Sequence, residues 1–203
     1  MKLWYSDSSP YARKVRSVIH YHQLQNQIKL LHATSGMDQH SPHNQANPLG
    51  RLPALQTANG EWLYNSSLIA EYLDHLGSQP SLYGDSEQRW QILRLHYLAD
   101  GILENEISVI PEKRLRPRSE WWIERHQQIF QRTEQSLIAI QKSIDLFGET
   151  LNIGTLNTVC AIDFLLFRND WTYATKHSVM ESLKSWAEKM NARYACLNET
   201  YPK

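Results

Sequence analysis

The chain opens with a short apolar run, KLWY at 2–5, of high β-propensity and too short for a helix, which predicts a buried strand. Beyond it Ala12, Val15, Ile19 and the body of His22 recur at helical spacing. Pro10 suits the first helical position, where a backbone N–H would have no intrahelical acceptor anyway, and Ser9 is then the natural N-cap. IKLLH at 28–32 predicts a second strand, so the opening unit is strand–helix–strand, normally a right-handed parallel crossover. From Ala33 to Asn47 the chain is polar and irregular, long enough to suggest a binding loop. RLPALQ and EWLY (51–56 and 61–64) then read as two strands of a hairpin turning at Asn59-Gly60. In NSSLIAEYLDHLG (65–77), Leu68, Ile69, Tyr72, Leu73 and Leu76 share one helical face and Gly77 stops the helix. The first 77 residues therefore spell β-α-β-β-β-α.

The pattern changes at SQPSLYGDSEQR (78–89), which is rich in turn residues. Residues 87–110 carry Leu93, Tyr97 and Leu98 at helical spacing, and Pro111 is expected to interrupt that helix. A long amphipathic stretch covers 119–147 and ends at Gly148. IGTLNTVCAIDFLLF (153–167) is apolar on most sides, which predicts the buried central helix of its domain, with Cys160 a packed core thiol. Residues 178–193 predict a final amphipathic helix. The domains expected are 1–77, a linker at 78–86, and an all-helical domain over 87–203. The class is α/β followed by all-α.

Charge removes several kinds of function. Lys plus Arg is 21 and Asp plus Glu is 21, so no strong field draws in nucleic acid or an anionic membrane, and neither is expected as a partner. The start lacks the basic and long apolar segments of a signal peptide, and no run approaches the roughly 18 apolar residues of a membrane span. Two cysteines are too few for a disulfide scaffold. A soluble cytoplasmic protein is expected.

Ser8 and Ser9 precede Pro10 where a strand hands over to a helix. Such a hydroxyl can merely cap the helix, or it can activate something bound at the helix end. Several runs bear on the choice: SSPYARKVR (8–16), NPLGRLPAL (47–55), LYNSSLIAEYLD (63–74), ADGILE (99–104) and CAIDFLLFR (160–168). In order and spacing they resemble the glutathione transferase superfamily, over nearly the whole chain. The resemblance is nearest to bacterial members that begin with a Ser-Pro-Tyr/Phe turn. It implies a thioredoxin-like first domain that binds glutathione as co-substrate in the cleft beside the helical domain. It also implies attack of the thiolate on a small hydrophobic electrophile, and a homodimer.

The resemblance assigns roles residue by residue. Ser9 would donate to the glutathione sulfur, as in the phi and tau classes, with Ser8 the alternative from zeta- and theta-like members. A thiol titrates near 8.5, and lowering that by two units takes roughly 2.7 kcal/mol. One charge-assisted hydrogen bond of roughly 1.5–3 kcal/mol plus the helix dipole suffices. Omega-like members carry Cys here for thiol exchange, and this chain does not. Leu52-Pro53 resembles the family's cis-proline turn, which leaves the backbone of Leu52 to pair with the peptide's cysteine. Ser66, with the helix N–H groups, would receive the γ-glutamyl carboxylate. Asn65 stands where the family has an acid, so it brings no charge to the substrate's ammonium group. Arg13 and Arg51 are candidate partners of glutathione carboxylates, and His40 a contact from the loop. His40 and His43 lack the accompanying Cys or Glu pattern of a metal site, and none is expected. Tyr97, Trp121, Trp122 and Trp171 either line a hydrophobic pocket or belong to the core. Asn152 can cap the central helix, but Thr155 replaces the family's capping carboxylate, so no reciprocal bond is expected. A non-enzymatic relative using the fold as an interaction platform is the competing reading, and Asn65 favours it. A glutathione-dependent isomerase or dehalogenase is a further alternative.

Overall fold

The computed structural model describes residues 1–33, 40–168 and 179–202. It divides into two compact units, Met1–Leu82 with Tyr194–Lys203, and Tyr83–Arg193. The sequence pattern places the residues after 193 with the helices; their contacts are instead with the first unit.

The first unit is built on a four-stranded mixed sheet, in the order β2-β1-β3-β4. β1 (Lys2–Tyr5) runs parallel to β2 (Lys29–His32), pairing Tyr5 with His32. It runs antiparallel to β3 (Ala54–Gln56), pairing Trp4 with Ala54, and β3 pairs Ala54 with Tyr64 of the antiparallel β4 (Trp62–Tyr64). Leu3 and Leu55 are wholly buried at the centre. The expected strands are all present, joined as a β-α-β crossover and a hairpin. Inside the polar stretch, and not foreshadowed by the pattern, Pro42–Ala46 form a five-residue helix, α2. The longer helices of this unit are α1 (Pro10–Tyr21) and α3 (Ser66–Leu76). These two pack on each other, and Val15, Val18, Ile69 and Leu73 have no exposed surface.

Two polar arrangements close the unit. Asp74 near the end of α3 accepts at Oδ1 from His22 Nε2 (2.9 Å) and from the Leu82 N–H (2.9 Å), and at Oδ2 from the Ser81 hydroxyl (2.6 Å). Gly77 permits this, because a β-carbon there would lie 1.9 Å from the His22 ring. The terminal helix α8 (Ala195–Asn198) returns to α1: Arg13 Nη2 donates to the Leu197 carbonyl (3.2 Å), and Ser17 Oγ lies 2.8 Å from Thr200 Oγ1.

The second unit is helical: α4 (Arg89–Leu115), α5 (Ile123–Phe147), α6 (Ile153–Phe167) and α7 (Met180–Arg193). α6 is buried from Ile153 to Leu165, as its uniform apolarity predicts. Its Gly154 meets α4 closely enough that a β-carbon would stand 2.6 Å from the Ile92 carbonyl oxygen. Asn157 of α6 donates to the His96 carbonyl (2.8 Å) and to Asp100 (2.9 Å).

Two local expectations are corrected. α4 does not stop at Pro111 but runs through it to Leu115. Pro111 is exposed, so water can serve the carbonyl one turn back that loses its donor. The next residue, Glu112, bonds the Trp122 N–H (2.9 Å) and His126 Nε2 (2.7 Å), tying the extra turn to the start of α5. The cap of α6 is also complete: Thr155 N–H donates to Asn152 Oδ1 and Asn152 N–H donates to Thr155 Oγ1, both at 2.9 Å. A hydroxyl accepts as well as a carboxylate here because it is buried beside the donor. Among the described residues, no helix is long and apolar enough to cross a membrane.

Candidate functional site

Strand register gathers the sequence candidates. β1 ends at Tyr5, beside His32 at the end of β2, while Trp4 faces Ala54 at the start of β3, and Ala54 faces Tyr64 at the end of β4. The segments leaving these positions therefore emerge at one end of the sheet: Ser6–Ser9, Leu52–Pro53 and Asn65–Ser66. The N-termini of α1 and α3 open at that same end. Neither first turn carries an acidic residue, so both helix dipoles present their positive ends uncompensated from within.

Ser9 is the N-cap of α1, extended at φ −83° and ψ 117°, and its Oγ accepts from the Ala12 N–H at 3.2 Å. An acceptor lone pair is thereby used, while the hydroxyl proton is left to donate elsewhere. Ser8, one residue earlier, is half-buried in the turn. Asp7, which the sequence pattern does not single out, fixes that turn. Its carboxylate lies 3.0 Å from His32 Nε2 and 3.6 Å from Arg16 Nη1, linking the loop to β2 and α1. Only its position two residues before Ser9 could have signalled this.

The Leu52–Pro53 peptide is cis. Leu52 is half-buried, and among the described residues nothing bonds its backbone N–H or C=O. The approach to it is shaped by Asn47, also not singled out: its Oδ1 accepts from the Leu49 N–H (2.9 Å) and its Nδ2 donates to the Arg51 carbonyl (2.6 Å). The Asn-Pro pair at 47–48 is the turn signal that marks it. Arg51 itself is exposed, as is His40.

Asn65 caps α3. It sits at φ 73°, a region asparagine enters more readily than most residues, and its Oδ1 accepts from the Ser67 N–H at 2.8 Å. Ser66 is 5% exposed at the first turn. Behind it, Lys14 of α1 donates from Nζ to Ser67 Oγ at 3.3 Å and stands 5.8 Å from the Tyr11 ring centroid, with no exposed surface.

Arg13 is not at this cluster's surface. It is 2% exposed, bonded to Leu197 and stacked on Tyr201 at 5.3 Å, so its guanidinium serves the C-terminal return. In the helical unit Tyr97 and Trp122 are exposed, and Trp121 donates from Nε1 to the Arg116 carbonyl at 3.1 Å beside His126. Trp171 and residues 34–39 of the polar loop lie outside the described residues.

Comparison with known proteins agrees with this layout. Residues 8–76 match the family model described as glutathione S-transferase, N-terminal domain. The uncharacterised GST-like protein YibF of Escherichia coli K12 is 29% identical over 178 residues, covering 83% of each chain. A glutathione transferase family member from Pseudomonas fluorescens Pf-5, crystallised with bound glutathione, superposes with a TM-score of 0.86 at 28% identity, over 100% of this chain and 98% of that one. A glutathione S-transferase from Methylobacillus flagellatus KT, also with glutathione bound, gives 0.87 at 26% identity, over 100% and 99%. Residues 8–76 are thus matched as a glutathione S-transferase N-terminal domain from the Ser-Pro turn to the end of α3, and the whole chain is similar to these transferases end to end.

Proposed function

We propose that the protein binds glutathione at the Ser9/Leu52/Ser66 end of its sheet and activates the thiol for attack on a small hydrophobic electrophile. The observation that carries the reading is the convergence, through strand register, of a hydroxyl N-cap, a backbone edge before a cis-proline that no described residue pairs, and a second helix N-terminus. Each meets a different part of the tripeptide. The Leu52 backbone offers one donor and one acceptor, which an extended cysteinyl residue satisfies as an added strand would. The Ser66 hydroxyl and the α3 N–H groups suit a carboxylate. Ser9 keeps its cap from Ala12 and still has an O–H to give to sulfur, next to the positive end of α1. Arg51 and His40, both exposed, remain as contacts for the second carboxylate. Arg13 is left out of the site because of its bond to Leu197. Assembly as a homodimer belongs to the same reading, with sedimentation velocity as its check.

The test is the thiolate absorbance of bound glutathione near 240 nm, titrated against pH, in wild type and Ser9→Ala. We expect the bound thiol to titrate well below 8.5 in the wild type and to return upward by about one to two units in the variant, with affinity within about threefold. An unchanged titration in Ser9→Ala moves the role to Ser8 or to the helix dipole. A platform without catalysis is the second reading, and Asn65 favours it, since an amide engaged in capping α3 offers no charge to the ligand's ammonium group. Absence of saturable glutathione binding decides for it.

A further inference from the structure

The helical unit brings two like charges together that the proposed chemistry does not use. α4 and α6 run side by side in the same direction, since Gly154 meets Ile92 and, further along both helices, Asn157 meets Asp100. Carried on at equal rise, that pairing sets Arg168, the C-cap of α6, level with Pro111 of α4. Arg114 stands one turn beyond Pro111, and helical side chains lean back toward the N-terminus, so its guanidinium reaches toward the same level. The two charges do meet: burial, and after it the charge of Arg114, hold the Arg168 guanidinium below the ordinary arginine value.

A helix C-terminus explains one arginine at each place, because its dipole favours a cation there. It does not explain how Arg168 is held. The residue is half-buried, its guanidinium lies 5.0 Å from the centroid of the Phe167 ring, and its Nε–H is buried with no acceptor. The ring leaves the donor-bearing edge of the guanidinium for another group. Among the described residues no hydrogen bond or ion pair engages either arginine's guanidinium. Glu112, two residues before Arg114, has one carboxylate oxygen on the Trp122 N–H and the other on His126. An unmet buried donor and two facing cations both cost free energy, and an oxyanion between them relieves both at once.

We propose that Arg114 and Arg168 form a binding site on the helical unit for the oxyanion of a small molecule, a carboxylate or a phosphate. The anion accepts from the Arg168 Nε–H and is shared between the two guanidiniums. The site is built from α4 and α6 alone, so it stands or falls independently of the glutathione reading.

The experiment follows the arginine Nε–H signals in 1H–15N NMR spectra. The Arg168 signal is assigned by triple-resonance spectra and confirmed by its loss in Arg168→Lys. Wild type is titrated with sodium benzoate, with sodium phosphate and with uncharged benzamide, all at one ionic strength. Benzoate or phosphate should shift the Arg168 Nε–H saturably, with half-saturation below about 10 mM, and benzamide should not. The tighter of the two anions tells a carboxylate ligand from a phosphate one. Arg114→Gln should weaken that anion about five- to tenfold. Arg132→Gln, which removes an exposed charge from α5, should stay within about twofold of wild type. Arg114 and Arg132 are both exposed, so neither substitution disturbs the core. No saturable shift with either anion overturns the proposal, as does a response to benzamide equal to that with benzoate. Wild-type affinity in Arg114→Gln, or equal losses in Arg114→Gln and Arg132→Gln, overturns it as well.

Discussion

Replacing Asp74 by alanine removes one carboxylate and strands three donors, and the structure says what each loss costs. His22, 2% exposed, and Leu82, 1% exposed, both donate to Oδ1 and are too deep to find water without disturbing the fold. A buried donor left unmet costs about 1–3 kcal/mol, so the pair costs about 3–4 kcal/mol. Ser81 donates to Oδ2 but is exposed, so its hydroxyl turns to solvent at little expense. The bonding pattern also dictates the control. In Asp74→Asn the amide oxygen can take the place of Oδ1 and keep both buried donors, while the NH2 group meets a serine hydroxyl able to accept. That variant should lose only about 1 kcal/mol, the surplus of a charged over a neutral acceptor. Urea denaturation followed by far-UV circular dichroism measures both. With a slope of about 2 kcal/mol/M, alanine should lower the midpoint by roughly 1.5–2 M and asparagine by roughly 0.5 M. Equal losses in the two variants would refute the reasoning, as would an alanine variant within about 1 kcal/mol of wild type.

Glu106 lies in the helical unit without exposed surface, and burial is the main reason its carboxyl titrates above the usual range, against smaller opposing effects of the Thr133 hydroxyl and Lys113. The folded state therefore holds a proton that the unfolded chain, titrating near 4.5, has lost. Stability falls as pH rises from about 4.5 through the folded value, because the native state then binds more protons than the unfolded one. Glu106→Gln should match wild type in melting temperature near pH 4 and exceed it near pH 8; melts with the same pH dependence as wild type would remove Glu106 from the account. Gly154→Ala should destabilise by about 1–3 kcal/mol, because its β-carbon would meet the Ile92 carbonyl oxygen, which cannot swing away. Gly101→Ala, inside α4 with nothing within 4 Å of the added carbon, should instead stabilise by about 0.5–1 kcal/mol, and thermal melts of the two distinguish them.

What could be read from the sequence was whatever rests on neighbours along the chain. Ser9 before Pro10 announces a cap, the NG pair a hairpin, and the uniform apolarity of 153–165 a buried helix, since each needs only local spacing. The candidate site is legible to the same depth: Ser9, Leu52, Pro53 and Ser66 each stand out in sequence, and register brings them to one end of the sheet. What escaped depends on partners far away in sequence. α4 outruns Pro111 with Glu112 held across the next turn by His126. Arg13 looks like a surface cation until Leu197, from the other end of the chain, is seen to occupy it. Lys14 reads as an ordinary polar position of a helix until Ser67 is placed against it. The short α2 helix lies in a stretch without apolar periodicity, so pattern alone could not find it.

The return of residues 194–200 to α1 sets a schedule for synthesis. The ribosome finishes the sheet and α3 by Leu82, yet Leu197 and Thr200, which bond Arg13 and Ser17, emerge only after about 115 more residues. At a translation rate of about 5–20 residues per second, that is an interval of roughly 6–23 s. Throughout it the back of α1 lacks its polar partners while the whole helical unit is being made. The unit translated first is thus the one completed last, and its exposure to chaperones and proteases is governed by elongation time.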